Sequence, residues 1–412
     1  MPDRRILHAD ADAFFVAVAR MADPEGAGRA PLLIVGGRPG GRGVVCSASY
    51  ETRAFGVRSA MPISQALRLC PDALCVPVPR GACSATSKAI GAVLGRFTPV
   101  VEGASIDEWY LDLTGMEALH GGETLEESAR RIRTTVHKET GMWLSLGGGS
   151  SKLIAKLAAE RAKPRAGTDA TGVRVIAPGA EGEFMETLAL AELPGVGPKL
   201  QIKLKGLGLE RVEDVLPHDR STLARWLGRR PAEWLWARVR GIHTAPVEAR
   251  GTARQISREC TFNRDVAESA QLGSHLRALG AKAGTELRSE RLAARTVTVK
   301  IRDFDFTTRL ASRTLPEPLE SDRAVGDVAV TLLAKLRTAR NVPARLVGVA
   351  LGGLTAARDA EQLGLFSGGT GGTPVVERAE DRALSRAVDR VRERFGAEAI
   401  KAGPTTGGRR RP

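Results

Sequence analysis

Apolar and polar positions change rhythm several times along this chain. Arg5-Ile6-Leu7-His8-Ala9-Asp10 reads as a strand ending in an acid, and Asp12 is placed to cap a helix over 13–21. Two short apolar strands follow at 32–35 and 44–48, parted by a loop holding Gly36-Gly37 and Gly40-Gly41. Helical spacing occupies about 64–69 and 85–94, and the chain turns strand-like near Glu102. Ser105-Ile106-Asp107-Glu108-Trp109-Tyr110-Leu111-Asp112-Leu113 reads as two strands with acids at the bend. Helices near 125–140 and 152–161 complete this region. Beyond the break at Lys163-Pro164-Arg165-Ala166-Gly167 lies a small helical region, about 181–239, centred on Leu193-Pro194-Gly195-Val196-Gly197-Pro198-Lys199.

The C-terminal pattern is more regular. Strand-like 254–262, helical 266–290, a period-two run at Thr296-Val297-Thr298-Val299-Lys300-Ile301-Arg302, a second alternation at 304–312, helical 322–340 and a strand at 345–351 give the order βαββαβ. Such a unit carries its helices on one face. The other sheet face, rich in Thr, Arg and Lys, suits a groove of nucleic acid. In the tail, Thr373 and Pro374 open a helix whose Leu384, Val388, Val391 and Phe395 share one apolar stripe, closed by Gly396. A Gly-rich linker at 367–372 precedes it.

Composition narrows the class. A chain of 412 residues implies two to four domains. A hydrophobic share of 42% and a charged share of 26% fit a water-soluble globular protein. The net charge of +14 points to a polyanionic partner, nucleic acid first. Five cysteines, an odd number with no CxxC pair, argue against a disulfide framework or zinc site. No signal peptide or membrane span is evident, so a cytoplasmic protein is expected.

Three acids carry candidate chemistry: Asp10 at a strand end, and Asp107 and Glu108 at a strand bend. Carboxylates in apolar surroundings are costly unless paired, hydrogen-bonded or bound to metal. Magnesium takes a few carboxylates with phosphate oxygens and water, and two such ions about 3.5–4 Å apart serve phosphoryl transfer.

Longer motifs surround these acids. Together His8-Ala9-Asp10-Ala11-Asp12-Ala13-Phe14-Phe15, Ser49-Tyr50-Glu51-Thr52-Arg53-Ala54-Phe55-Gly56-Val57-Arg58-Ser59-Ala60-Met61-Pro62 and Ser105-Ile106-Asp107-Glu108 resemble, in order, the Y-family DNA polymerases of the bacterial polymerase IV (DinB) type. The resemblance runs over roughly residues 5–354. It implies an α+β multidomain right-hand fold: palm at 1–12 and 79–172, fingers at 13–78, and a helical thumb with a helix-hairpin-helix at 173–244. A βαββαβ little finger at 251–354 and a flexible tail at 355–412 follow. It implies a low-fidelity DNA-directed DNA polymerase, active in translesion synthesis, that extends primers with dNTPs and uses two Mg2+ ions.

Residue by residue, Asp10, Asp107 and Glu108 fall on that family's metal-binding acids, and Ala11 on a backbone-carbonyl ligand. Phe15 falls on the steric gate, where a flat ring under the sugar leaves no room for a 2′-hydroxyl. Tyr50, Arg53 and Lys163 match triphosphate contacts. Arg58 and Met61 lie where fingers cover the nascent base pair. Gly195, Gly197 and Lys199 resemble a helix-hairpin-helix, whose backbone N–H groups face a DNA phosphate. Gln362, Leu363, Leu365 and Phe366 resemble the peptide that docks polymerases onto the bacterial sliding clamp. The implied partners are primer–template DNA, dNTPs and that clamp, with the protein itself a monomer.

The chain departs from the family at three places. Ala19 stands where Glu is common, Trp109 follows Glu108 where a small residue is usual, and Ser151 replaces an Asn. Trp109 is expected to crowd the palm core. The rival reading is a weak or inactive clamp- and DNA-binding accessory of the same fold.

Overall fold

The computed structural model describes residues 4–164, 170–249, 251, 253–357, 377–396 and 399–400. The chain divides into two compact units, Met1–Gly251 and Thr252–Pro412.

In the first unit, β1 (Ile6–Ala11) is a buried strand serving two cores. Leu7, Ala9 and Ala11 join Phe14, Ile90 and Ile132 on one face, while Ile6 joins Tyr110, Ala155 and Val247 on the other. Continuous burial explains why the strand reads as an apolar run. Helix α1 (Phe14–Ala22) follows, but Asp12 does not cap it. The cap is Ala13, in a left-handed conformation at φ 45°. Asp12 is still held in the sheet, its N–H donating to the Trp143 carbonyl at 3.0 Å, and its carboxylate accepts from the Ser145 hydroxyl at 2.7 Å. The turn into the helix is therefore left to Ala13.

Next come β2 (Leu33–Gly36), β3 (Val45–Ala48), α2 (Tyr50–Ala54), α3 (Ile63–Leu69) and β4 (Leu74–Pro77). They form a small sheet of order β3-β2-β4, with β2 antiparallel to β3 and parallel to β4. The short α2 is not evident from periodicity. Ser49 starts it, its side chain accepting from the Thr52 N–H at 3.3 Å.

The chain then runs through α4 (Arg80–Leu94), β5 (Val101–Gly103), β6 (Glu108–Asp112), α5 (Leu125–Thr140), β7 (Leu144–Gly149), α6 (Lys152–Ala162) and β8 (Val173–Val175). The main sheet has the order β5-β6-β1-β7-β8, so β1 is central and pairs antiparallel with β6 and β7. A capping box between Thr124 and Glu127 starts α5, and Gly141 at φ 72° ends it. Helix α6 lies directly on the glycines of β7: a Cβ on Gly147 would meet the Ala159 nitrogen at 2.0 Å. Only glycine lets the helix come that close. Helices α7 (Glu181–Glu186), α8 (Pro198–Lys205), α9 (Val212–Val215), α10 (Arg220–Leu227) and α11 (Arg229–Val239) then pack around Leu193, Leu204, Leu223 and Leu235.

The second unit has the expected βαββαβ order: β9 (Gln255–Val266), α12 (Ser269–Ser289), β10 (Leu292–Asp303), β11 (Thr308–Leu319), α13 (Asp322–Ala339) and β12 (Ala344–Ala356). The sheet order is β11-β10-β12-β9, antiparallel throughout. Val297, Val299 and Ile301 of β10 pack with Leu276 and Leu333 of the helices. The alternate positions bear Thr296, Thr298, Lys300 and Arg302. Cross-strand bonds link Thr296 to Thr314 and Thr298 to Ser312, and Lys300 pairs with Glu259. Gly348, between Lys300 and Glu259 in the register, leaves room for that pair.

The tail helix α14 (Ala379–Phe395) docks on this unit by its polar face rather than by its apolar stripe. Arg288, 5% exposed, bridges Asp389 at 2.6 Å and Asp322 at 2.8 Å. Glu377 accepts the N–H of Glu320 at 2.9 Å, and Ser385 accepts that of Asp322 at 3.1 Å, so the tail caps the start of α13. Leu384 and Phe395 stay exposed. Thr373, Pro374 and Gln362 to Phe366 lie outside the described residues.

Candidate active site

The register of the central sheet decides which acids meet. Asp10 and Glu108 are direct partners across β1 and β6, and the Ala11 N–H donates to the Asp107 carbonyl at 2.9 Å. Residues nearly a hundred positions apart are thereby fixed side by side. The Asp107 carboxylate is engaged within its own loop. It accepts a short hydrogen bond from the Ser105 hydroxyl, whose oxygen also accepts the Asp107 N–H at 3.2 Å. Among the described residues, no three His, Cys, Asp or Glu side chains form a ready metal cage.

Helix α6 supplies the counter-charge. Lys156 Nζ lies 2.7 Å from Glu108, and Lys152 Nζ lies 2.6 Å from Glu102. Lys163, capping the helix C-terminus, lies 3.0 Å from Asp10 and 2.7 Å from Glu160. Spacings of four and seven residues put Lys152, Lys156 and Lys163 on one side of the helix. Lys152, Lys156, Glu102 and His8 escape motif reading; the i, i+4 lysines beside a triple-glycine strand are the only local signal.

Burial shapes the charges. It raises the Asp10 carboxyl above its ordinary range, against the pull of Lys163. Burial also works against the Lys163 ammonium, yet Asp10 and Glu160 raise its pKa. Glu108 is held down at about 2 by neighbouring His8 and by Lys156. His8 itself is pushed down by burial. The donor set is hard oxygen, and the ammonium groups mark where positive charge is already favoured. That fits a hard divalent cation. Asp10 and Glu108 would hold it, with Asp107 joining by a side-chain turn.

Of the nucleotide candidates, Lys163 pairs with Asp10, and Tyr50 lies near enough to Asp10 and Lys163 to feel their charges. Phe15 is half-buried and meets Phe14 edge-on, ring centroids 5.4 Å apart. Tyr50, the first residue of α2, is 45% exposed with the Arg53 guanidinium 4.9 Å from its ring centre. Arg53 also donates to the Ala48 carbonyl at 2.9 Å. Between α2 and α3, Arg58 is exposed and Met61 half-buried.

In the helical region, Gly195 has φ 103° and a Cβ there would meet Trp234 at 2.6 Å, so no other residue fits. Gly197 is the N-cap of α8 with no side-chain cap, and Pro198 and Lys199 open the helix. The first-turn N–H groups are thus left to an outside acceptor. The departures are absorbed. Trp109 is buried opposite Ala9 in the core with Phe14, Ile90 and Leu111. Ser151 caps α6, accepting from the Ile154 N–H at 3.3 Å, and Ala19 is buried against β2. The five cysteines are free, and no described helix is long and apolar enough to cross a membrane.

Comparison with known proteins agrees with this layout. Residues 9–160 match the impB/mucB/samB family, and residues 253–365 match that family's C-terminal domain. A DNA polymerase IV from Desulfatibacillum aliphaticivorans is 35% identical over 97% of this chain and 96% of its own. One from Gluconobacter oxydans is 37% identical over 87% of this chain and 97% of its own. A Dbh–Dpo4 Y-family DNA polymerase chimera superposes with a TM-score of 0.74 at 25% identity, covering 85% of this chain and 99% of the chimera. An insertion ternary complex of Dbh DNA polymerase gives 0.60 at 25% identity, over 86% and 100%.

Proposed function

This chain belongs to the Y-family of DNA polymerases, and we propose that it is a low-fidelity, template-directed enzyme of translesion synthesis and damage tolerance. It is a DNA-directed DNA polymerase with the multidomain α+β fold of that family. The observation that carries the catalytic reading is the in-register pairing of Asp10 with Glu108, with the Asp107 backbone bonded to Ala11.

Asp10, Asp107 and Glu108 would hold two magnesium ions, with the Ala11 carbonyl as a further ligand. The chemistry such ions supply when bound is activation of the primer 3′-hydroxyl and neutralisation of the leaving pyrophosphate. The chain's own residues do the rest. Lys163, beside Asp10, takes up a phosphate oxygen once nucleotide charge enters. Arg53 and Tyr50 donate to the same triphosphate from α2. The Phe15 ring lies under the sugar and excludes a 2′-hydroxyl. Gly195, Gly197 and Lys199 hold a DNA phosphate without reading sequence. The alternate-position face of β10, with Thr296, Thr298, Lys300 and Arg302, tracks the duplex. Gln362, Leu363, Leu365 and Phe366 dock on the sliding clamp. The protein works as a cytoplasmic monomer in this reading.

One observation favours the rival, a non-catalytic accessory: the Asp107 carboxylate is bonded to Ser105, and among the described residues no three acids form a ready metal cage. Primer extension with magnesium and all four dNTPs decides between them. Extension by the intact protein and none by an Asp107→Ala, Glu108→Ala variant supports the polymerase. No extension by either, with salt-sensitive DNA binding by both, supports the accessory.

A further inference from the structure

His8 lies two residues before Asp10 on the same side of β1, and it is 1% exposed. Neither ring nitrogen has a hydrogen-bond partner. A polar group left unsatisfied in a core is costly, so such a group calls for an explanation. Its Nε2 is 3.6 Å from Glu108 Oε2, near enough to favour the carboxylate's charge but longer than a formed hydrogen bond. Lys156 Nζ holds that same oxygen at 2.7 Å.

The imidazole is confined while the carboxylate is not. The Tyr110 ring packs against His8 with centroids 4.6 Å apart. Tyr110 is in turn covered by the Lys152 ammonium, 4.7 Å from its ring centre, and Lys152 is fixed by Glu102. Glu108 is 26% exposed and has room to shift.

We propose that His8 is a positioning residue for Glu108, its Nε2–H being the donor the carboxylate takes up when Lys156 lets go. The inference rests on the reading of Asp10, Asp107 and Glu108 as a cation site. With an ammonium on Oε2, the carboxylate is held off the imidazole. When a divalent cation takes over the role of Lys156, a shift of a few tenths of an ångström closes the His8 bond and leaves Oε1 to the cation. Both orphaned imidazole and loosely held carboxylate are then accounted for. Partners that orient a metal-binding group from behind contribute about 10- to 100-fold in metal affinity.

The test is Mn2+ binding to the full-length protein, counted by electron paramagnetic resonance without DNA or nucleotide. His8→Gln, His8→Asn and His8→Leu are compared with the intact protein, and a thermal melt of each checks folding. Gln carries an amide near the Nε2 position, whereas Asn reaches only the Nδ1 position. The expected result is Mn2+ binding weakened about tenfold or more in the Asn and Leu variants and largely kept in the Gln variant. Equal binding by the Asn and Gln variants, or intact binding by a folded His8→Leu protein, would overturn the proposal. A Glu108→Gln control separates the two readings: if it leaves Mn2+ binding unchanged, the cation site itself is misassigned, and the role of His8 falls with it.

Discussion

Asp10 and Glu108 face each other across adjacent strands, and each is met by a lysine of the same helix: Lys163 at 3.0 Å from Asp10, Lys156 at 2.7 Å from Glu108. The polymerase site therefore rests with its negative charge already balanced. In the proposed site a cation would compete with these ammonium groups for the carboxylates, and a nucleotide's phosphates would compete with the carboxylates for the ammonium groups.

Lys163 is the first place to see that competition. Lys163→Met keeps the stem and removes the charge. The KM for an incoming dNTP should rise about 10- to 100-fold, the worth of a charge-assisted hydrogen bond to phosphate. Single-nucleotide incorporation measures it, and an unchanged nucleotide KM would remove Lys163 from the triphosphate site.

The proposed gate role of Phe15 concerns the sugar of the incoming nucleotide. Phe15→Ala should reduce discrimination against ribonucleotides on the order of 10- to 100-fold, with dNTP incorporation less affected. The ratio of kcat/KM for a matched dNTP and rNTP measures this. If that ratio holds, Phe15 is core packing and not a gate.

Trp109 is a packing residue despite its place beside Glu108. It lies opposite the small Ala9 and is buried in the core with Phe14, Ile90 and Leu111. Trp109→Ala should cost about 3–5 kcal/mol in stability, read by denaturant unfolding of the intact protein. A loss under about 1 kcal/mol would mean that the site collapses around the smaller residue.

The tail helix has an acid-sensitive attachment. The Arg323 guanidinium, 2.6 Å away, holds the Asp381 carboxyl down at about 2. A carboxyl lowered in the folded state contributes fully above its ordinary value of about 3.9, and that contribution is lost as pH falls toward about 2. Amide exchange over Ala379–Phe395 should quicken across that window before exchange over Ser269–Ser289 does. Simultaneous loss in both helices would show that Asp381 does not govern docking.

Much of this arrangement is legible in the sequence, because local rules decide it. The capping box at Thr124 and Glu127 and the terminal Gly141 fix α5 at the expected bounds. The period-two run at Thr296 to Arg302 sets the βαββαβ unit. What escapes is set by contacts between distant segments. Asp12 has the type of an N-cap, yet sheet pairing to Trp143 claims its backbone first. The apolar stripe of α14 is legible, but its attachment is not: ion pairs from Asp389 to Arg288 and from Asp381 to Arg323 hold the helix, and Leu384 and Phe395 stay exposed. The roles of Lys152 and Lys156 depend on α6 lying against Gly147, which no periodicity reveals.

The proposed polymerase site needs three carboxylates acting together, although Asp107 is bonded to Ser105. The most direct test is the rate of single-nucleotide incorporation by Asp107→Asn at saturating DNA, dNTP and magnesium. A fall of about 100-fold or more with DNA affinity unchanged is expected if the three act together. Incorporation at the rate of the intact protein would contradict it, leaving Asp107 a loop residue and the site to Asp10 and Glu108 alone.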